Sequence, residues 1–476
     1  MSSKSQSILK NIPSIAKLPQ KQVLEITGPD SPKFLKGLSC KDVDTLKGGY
    51  SGFLNASGRV LNTTFIFPTL KSVKPGKVEQ SYLISYDEPP SSSSSSFPSS
   101  SSSSSSSGKT ELEEFLIPFK LRSKIRIKNV TDQYDSYSVY GTEDFFGNED
   151  KDTQGKGKGK QPIRTWKFGS GGASESQWSW PNDDVRELQL KENEIGCWDL
   201  RAGFSVQGMG RQVLVPKGDK PSLSTSHDPV SIDEYHLRRL LLGIPEGPKE
   251  IIPGTALPLE SCMDLHGGVD FRKGCYLGQE LTVRTYHTGA TRKRILPIRL
   301  LPLVGGGSSN GGSSSHKGPV AQDQDIPGNS TSSASASASA SASSISDIPQ
   351  ITDQLEITYH PPSTAASKKP RSAGKILSLH PQFTSVGLGL VRLEFAEKAC
   401  WSPDAISLSL SHLNSSSFSS SGSNQIQIQS EDQNAEIGRL TTQIGDRTYG
   451  VYVDKGEAYG AALQVLASDT QCHREA

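Results

Sequence analysis

The residues of this chain with the clearest capacity for chemistry lie between Asp270 and Tyr286. Cys275 follows Arg272 and Lys273 closely. Positive charge beside a thiol favours the thiolate, which is the form that acts as a nucleophile or a metal ligand. The stretch therefore predicts a functional thiol at Cys275, with Lys273 assisting it. The alternative is a small buried cysteine with a packing role, which is the commoner use of a lone cysteine.

Two glycines bracket this cysteine and indicate its local structure. Gly274 and Gly278 allow a tight loop and a close approach of a flat ligand to the backbone. The residues after Gly278 are typical of the first turns of a helix, and Gly289 is a plausible end. The pattern therefore predicts that Cys275 lies just before a helix N-terminus.

Composition limits the class of protein. The chain has 476 residues, a formal net charge of +1 and 33% hydrophobic residues, so serine-, glycine- and lysine-rich tracts must lie outside the core. The near-neutral charge gives no global attraction to nucleic acid, and no run of residues is apolar enough to span a membrane. Six dispersed cysteines without a C-x-x-C pair encode neither a disulfide framework nor a self-contained metal site. We therefore expect a protein with no nucleic-acid partner, no membrane span and free thiols.

The N-terminal residues 1–20 are basic, contain serine and have no acidic residue. This composition is typical of a mitochondrial transit peptide, and a plain disordered tail is the alternative. Further on, Gly49–Asn55 and Gly58–Phe67 predict two strands of a hairpin. Ser231–Pro245 has the apolar face, the capping serine and the terminal glycine and proline of a helix.

Helix and strand signals alternate over the first part of the chain, and short strands follow after residue 291, so the pattern predicts an α+β fold with a C-terminal β-barrel. We assign residues 21–290 to the first domain, with insertions at about 88–110 and 147–182. Residues 291–470 form the barrel, with insertions at about 304–349 and 411–436. These insertions are too polar to bury a core and are expected to be disordered.

The stretch Lys273–Glu280 resembles the K-G-C-Y-x-G-Q-E signature of folate-binding proteins related to the glycine-cleavage T-protein, an aminomethyltransferase. In eukaryotes that family includes a mitochondrial factor that helps to mature [4Fe-4S] proteins. Supporting blocks occur in the same order at Phe34–Leu38, Phe53–Val60, Tyr235–Arg238 and Ile252–Val269.

The resemblance implies a T-protein-like fold, with two interlocked α/β subdomains around a central folate-sized pore and a C-terminal barrel. It also implies a matrix accessory factor that works with an A-type cluster carrier and a ferredoxin for clients such as aconitase and lipoyl synthase. Because the chain has no cysteine cluster, Cys275 would be a shared ligand of a [2Fe-2S] or [4Fe-4S] cluster whose other ligands come from a partner. The alternative is that this thiol lines a pterin pocket without binding iron.

The cofactor that the resemblance implies is tetrahydrofolate. A carboxylate accepts the adjacent N–H groups of a pterin in bidentate fashion, and Glu260 is the residue that we predict in this role, with a solvent-facing glutamate as the alternative. The motif blocks predict further cofactor contacts from these residues: Tyr276, Gln279, Glu280, Asn55 and Arg59.

Two other functions stay open. One is a folate-dependent aminomethyltransferase, but Asn62 and Thr63 stand where T-proteins carry acidic residues, and neither is a general base. The other is an accessory role in tRNA modification, for which the chain offers no distinct basic stripe. A non-catalytic role in cluster assembly is therefore the favoured interpretation.

Overall fold

The computed structural model describes residues 12–44, 48–74, 77–87, 110–141, 162–180, 188, 190–204, 208–303, 354–362, 369–399 and 438–475. The predicted insertions at about 304–349 and 411–436, and nearly all of that at about 88–110, lie outside these ranges. The insertion predicted at about 147–182 is corrected, because residues 163–168 and 174–179 form a hairpin.

The strands have the following bounds: β1 Ser14–Lys17, β2 Lys21–Thr27, β3 Gly49–Leu54, β4 Val60–Lys74, β5 Lys77–Asp87, β6 Arg126–Asn129, β7 Tyr134–Tyr140, β8 Ile163–Phe168, β9 Ser174–Ser179, β10 Ile195–Trp198, β11 Arg211–Pro216, β12 Asp228–Val230, β13 Lys293–Pro302, β14 Glu356–His360, β15 Arg371–Leu379, β16 Val386–Arg392, β17 Arg439–Ile444 and β18 Arg447–Val453. The α-helices are α1 Ser31–Lys36, α2 Glu111–Leu116, α3 Ile232–Leu242, α4 Gln279–Thr288, α5 Leu393–Lys398 and α6 Gly456–Glu475.

The first sheet has the order β3-β4-β5-β2-β6 and is antiparallel throughout. The predicted hairpin of β3 and β4 is confirmed, and its turn is closed by the side chain of Asn55. The Asn55 Oδ1 accepts hydrogen bonds from the backbone N–H groups of Ser57 and Arg59. Gly58 has φ +78°, a conformation that favours glycine.

The second sheet has the order β10-β11-β7-β1-β12, so β1 lies between two partners. Ile15 and Ala16 of this strand are buried, as is Leu18 directly after it. Burial of these apolar side chains makes residues 14–18 part of the fold. They lie inside residues 1–20, for which a transit peptide stays a prediction. Residues 1–11 lie outside the described ranges.

A closed barrel follows, with strand order β13-β16-β15-β14-β17-β18. Its interior contains apolar side chains from several strands, among them Ile298, Val391 and Val451. The predicted C-terminal barrel and the α+β class are confirmed. Helix α6 was not anticipated by the sequence pattern, and its Ala458 and Ala462 pack beside the β8–β9 hairpin.

Helix α3 confirms the prediction made from its caps. The Ser231 hydroxyl accepts a hydrogen bond from the Glu234 N–H, and Gly243 ends the helix in the left-handed conformation. Arg239 of this helix is buried and paired with Glu250 at 2.6 Å. The helix is therefore fixed by a buried ion pair in addition to its leucines.

Candidate functional site

The loop that precedes α4 lies against the β3–β4 turn. Gly278 has φ +76°, and a Cβ added there would stand 2.3 Å from the Asn55 carbonyl oxygen. A Cβ on Gly58 would in turn stand 2.9 Å from the Gly278 carbonyl oxygen. Two glycines separated by more than two hundred residues thus allow the turn and the loop to touch. The structure brings the predicted residues around Asn55 and those around Cys275 into one place.

Lys273 anchors this loop to the segment that follows α1. Its ammonium donates hydrogen bonds to the carbonyl oxygens of Lys36, Ser39 and Lys41 at 2.8, 2.6 and 3.1 Å. It also lies 4.6 Å from the centre of the Tyr276 ring. Burial lowers the pKa of Lys273 from 10.5 to about 8, against the attraction of neighbouring groups. The ammonium that was predicted to assist the thiol is therefore engaged by backbone carbonyls.

An ion pair and a backbone contact add to this attachment. Asp270 pairs with Lys41 at 2.5 Å, and its second carboxylate oxygen accepts the Asp42 N–H at 2.8 Å. At the other end of the loop, the Leu277 N–H donates to the Gly37 carbonyl at 3.0 Å. The loop is thus held on both sides of Cys275. Sequence reasoning missed the roles of Asp270 and Lys41, because their separation of 229 residues leaves no local signal.

Cys275 is exposed, whereas Cys40, Cys197 and Cys262 are buried. The neighbouring Gly274 faces open space, since an added Cβ would meet nothing within 4 Å. Burial raises the pKa of Cys40 to about 12 and that of Cys262 to about 11, which keeps both as thiols. Of these four cysteines, Cys275 is the one placed to meet another molecule.

The remaining motif residues have unequal exposure. Tyr276 is 4% exposed, its hydroxyl has no hydrogen-bond partner in the described part of the chain, and burial raises its pKa. Gln279 accepts the Tyr276 N–H with its side-chain oxygen at 3.3 Å. Glu280 is exposed in the first turn of α4. Tyr276 and Gln279 shape the loop, and Glu280 faces solvent.

Glu260 lies apart from this loop, next to the barrel. Its backbone carbonyl accepts the Ile295 N–H at 2.8 Å, and its side chain is half-buried. Across residues 12–475 as described, its carboxylate has no hydrogen-bond or ion-pair partner. Arg59 donates a hydrogen bond to the Thr255 carbonyl at 2.6 Å. The Asn55 side chain accepts the Arg59 N–H within its own turn. The structure therefore leaves the Glu260 carboxylate available to a ligand and commits Asn55 to the backbone.

A second buried ion pair fixes the surroundings of Glu260. Arg294 and Asp264 are fully buried and form two parallel hydrogen bonds at 2.9 and 2.8 Å. Arg294 also donates to the carbonyl oxygens of Leu259 and Gly172, at 2.9 and 2.8 Å. This pair joins the segment before the motif, the β8–β9 hairpin and strand β13. No local sequence pattern indicates this pair.

Within the described ranges, no group of three or more His, Cys, Asp or Glu residues is arranged to hold a metal ion. No helix there is both long and apolar enough to cross a membrane.

Fold and site together define a mixed α/β protein with a closed barrel that presents one thiol on a firmly anchored loop. No family model matches the chain. A Cryptococcus neoformans var. neoformans protein named "Iron-sulfur cluster assembly factor IBA57 homolog, mitochondrial" is 52% identical over 458 residues, which are 96% of this chain and 99% of that protein. A Coccidioides immitis protein of the same name is 33% identical over 390 residues, with 79% and 71% covered. The chain therefore belongs to the IBA57 family of iron-sulfur cluster assembly factors.

Among solved structures, the glycine cleavage system aminomethyltransferase T from Bartonella henselae aligns with a TM-score of 0.47 and 9% identity. The alignment covers 96% of this chain and 88% of that chain.

Proposed function

We propose that this protein acts in the maturation of mitochondrial [4Fe-4S] proteins by lending Cys275 as one ligand of a cluster that an A-type carrier brings. Membership of the family supports the general role, which is iron-sulfur cluster assembly in mitochondria. The carrier, the shared ligand and the location in the matrix are the proposal.

The observation that carries it is the contrast between Cys275 and the other described cysteines. The Cys275 thiol is exposed on its loop, whereas Cys40, Cys197 and Cys262 are buried. Iron-sulfur clusters are normally bound by several thiolates, so a single exposed thiol fits a cluster that is shared with a partner. The anchors through Lys273 and Asp270 hold the loop in place before the partner arrives, which reduces the entropy lost on binding.

We propose further that tetrahydrofolate binds with its pterin on Glu260. The support is a half-buried carboxylate without a partner among the described residues, since a pterin offers two adjacent N–H donors to such a group. Calorimetric titration of tetrahydrofolate into the wild type and Glu260→Ala tests the assignment. Equal heats of binding for the two proteins would contradict the assignment of Glu260 as the pterin contact. A ferredoxin as reductant, and aconitase and lipoyl synthase as clients, complete the proposal.

The main experiment mixes the full chain with a [2Fe-2S]-loaded A-type carrier without oxygen and follows visible absorption through size exclusion. The full chain is needed because Ser14–Lys17 is a sheet strand. We expect a coloured heterocomplex that Cys275→Ser abolishes. Arg284→Ala is the control, since this exposed arginine lies on α4, nine residues after the thiol. A coloured complex that survives Cys275→Ser would contradict the proposal.

A further inference from the structure

The segment after helix α2 is an apolar surface that the described part of the chain leaves partly uncovered. Residues 117–122 are all exposed, and they include Ile117, Phe119 and Leu121. Leu121 is 88% exposed. Neighbouring large apolar side chains that all face solvent are uncommon on a protein without partners and are typical of interaction sites. We call residues 117–122 the apolar loop.

The backbone of this loop is strained at its most exposed residue. Leu121 has φ +42° and ψ −114°, a conformation that suits glycine and is unfavourable for a leucine. Burial of the Leu121 side chain does not offset this strain, because the side chain is exposed. Strained backbone at an exposed residue is a feature of binding sites, where it holds a side chain ready for a partner. The loop thus presents Leu121 outward at a cost in stability.

The charge around the apolar loop has one sign. No acidic residue occurs between Glu114 and Asp132, whereas this interval contains five exposed basic residues, which are Lys120, Arg122, Lys124, Arg126 and Lys128. None of them has an ion-pair partner among the described residues. Strand β6, which carries the last two, is an edge of the first sheet. Lysines also protect sheet edges from aggregation, but that role does not explain the exposed apolar side chains beside them.

The apolar loop is connected to the Cys275 loop by a short series of contacts. The ring of Phe119 lies 5.3 Å from that of Phe115, which lies 6.5 Å from that of Phe53. Phe53 forms a β-bridge with Ser39, whose carbonyl accepts the Lys273 ammonium. Lys273 is two residues from the exposed thiol. A partner seated on the apolar loop would therefore be bound to the same structural unit that holds Cys275.

We infer that the apolar loop and its basic border form the docking surface for the cluster carrier, which requires an acidic face around an apolar cleft that receives Leu121. This inference rests on the proposed function, because the thiol identifies a cluster-bearing protein as the partner that needs to bind beside it. Docking at this surface orients the cluster-loaded carrier, and the bond from Cys275 to the cluster is needed to complete the complex. The charge complementarity accelerates encounter, and Leu121 and Phe119 provide the anchor.

The first test titrates a [2Fe-2S]-loaded A-type carrier into the full chain by calorimetry without oxygen. Leu121→Gly removes the anchor and relieves the strained conformation, so we expect a Kd about tenfold higher with no loss of thermal stability. Leu70→Ser is the control, since Leu70 is 78% exposed on strand β4 outside the loop. An unchanged Kd for Leu121→Gly would overturn the inference.

The second test reverses the charge. Lys120→Glu combined with Arg122→Glu should lower the association rate about tenfold at low salt and reduce its salt dependence. Lys369→Glu combined with Arg371→Glu makes the same change of net charge on exposed residues at barrel strand β15 and should leave the rate nearly unchanged. Equal effects of the two pairs would show a nonspecific charge effect and would overturn the inference.

The outcomes separate this inference from the proposed function. If the coloured complex depends on Cys275 but the loop variants bind as the wild type does, only the docking surface is wrong. If the loop variants lose binding of the loaded carrier but the coloured complex survives Cys275→Ser, only the shared ligand is wrong. If the wild type does not bind the carrier, both fail. If the loop variants bind the carrier normally but no longer bind cardiolipin-containing vesicles that the wild type binds, the surface would instead be assigned to a membrane.

Discussion

Replacing Lys273 by methionine removes the ammonium that holds the Cys275 loop while keeping a side chain of similar length. Three carbonyl oxygens then lose this donor, although the Lys41 carbonyl still accepts the Ser39 hydroxyl. A hydrogen bond from a charged group contributes about 1.5–3 kcal/mol, so the three together oppose unfolding by about 5–9 kcal/mol. Burial of the charge acts against them. Each pKa unit corresponds to about 1.4 kcal/mol, so a fall from 10.5 to about 8 represents about 3 kcal/mol.

The net loss in the free energy of unfolding for Lys273→Met at pH 7 is therefore about 2–6 kcal/mol. The pH dependence of the free energy of unfolding is a more specific test than its value at pH 7. Above pH 8 the folded lysine loses its proton, whereas the unfolded lysine keeps it up to about pH 10.5. The unfolded state then binds more protons, so wild-type stability rises with pH in this window. Because the side chain is partly accessible to solvent, the rise is smaller than the full 3 kcal/mol or so.

Urea unfolding of both proteins at pH 7, 8, 9 and about 10.5 measures this difference, and Lys249→Met, at an exposed lysine, is the control. We expect the difference in the free energy of unfolding between wild type and Lys273→Met to widen above pH 8. A gap that stays constant or narrows would refute the reasoning, since it would mean that the three carbonyls keep the ammonium charged in the fold. The coloured complex should also weaken in Lys273→Met, because Cys275 loses its anchor.

Three further outcomes follow from the site. Cys275→Ser should change the free energy of unfolding by less than about 0.5 kcal/mol, as measured with urea, because the side chain is exposed. Asp264→Asn should cost about 3–5 kcal/mol by the same assay, because Arg294 is left charged and buried without its carboxylate; a loss below 1 kcal/mol or so would contradict the buried pair. Gly278→Ala should lower the melting temperature and reduce carrier binding, since its Cβ would lie against the Asn55 carbonyl. Wild-type behaviour of this variant would show that the turn and the loop do not need to touch.

Short-range chemistry in the sequence determined several elements correctly. Ser231 and Gly243 bound helix α3, and Gly278 and Gly289 bound helix α4, as predicted. Gly243 and Gly278 are left-handed, whereas Gly289 is extended. Asn55 and Gly58 fix the β3–β4 hairpin. Each of these signals acts over a few residues, so it can be read without knowledge of the rest of the chain. The exposed position of Cys275 also agrees with the interpretation of its glycine-rich loop.

Long-range contacts decided what the sequence could not. Lys273 stands two residues from Cys275, which favoured a role in activating the thiol, but its ammonium points to carbonyls more than 230 residues earlier in the chain. Composition placed Ser14–Lys17 in a transit peptide, whereas sheet pairing with β7 and β12 buries this strand. The β8–β9 hairpin lies in a polar stretch that gave no strand signal.

The sequence by itself determined the class of fold, the local loop and helix around the thiol, and the family. The tertiary structure alone decided which charges face the thiol, which cysteines are buried and which apolar side chains remain uncovered. The physical reason is distance along the chain. Capping, turns and periodicity depend on neighbours within a few residues, whereas the partner of a buried ammonium or the cover of an apolar surface comes from wherever the fold brings it.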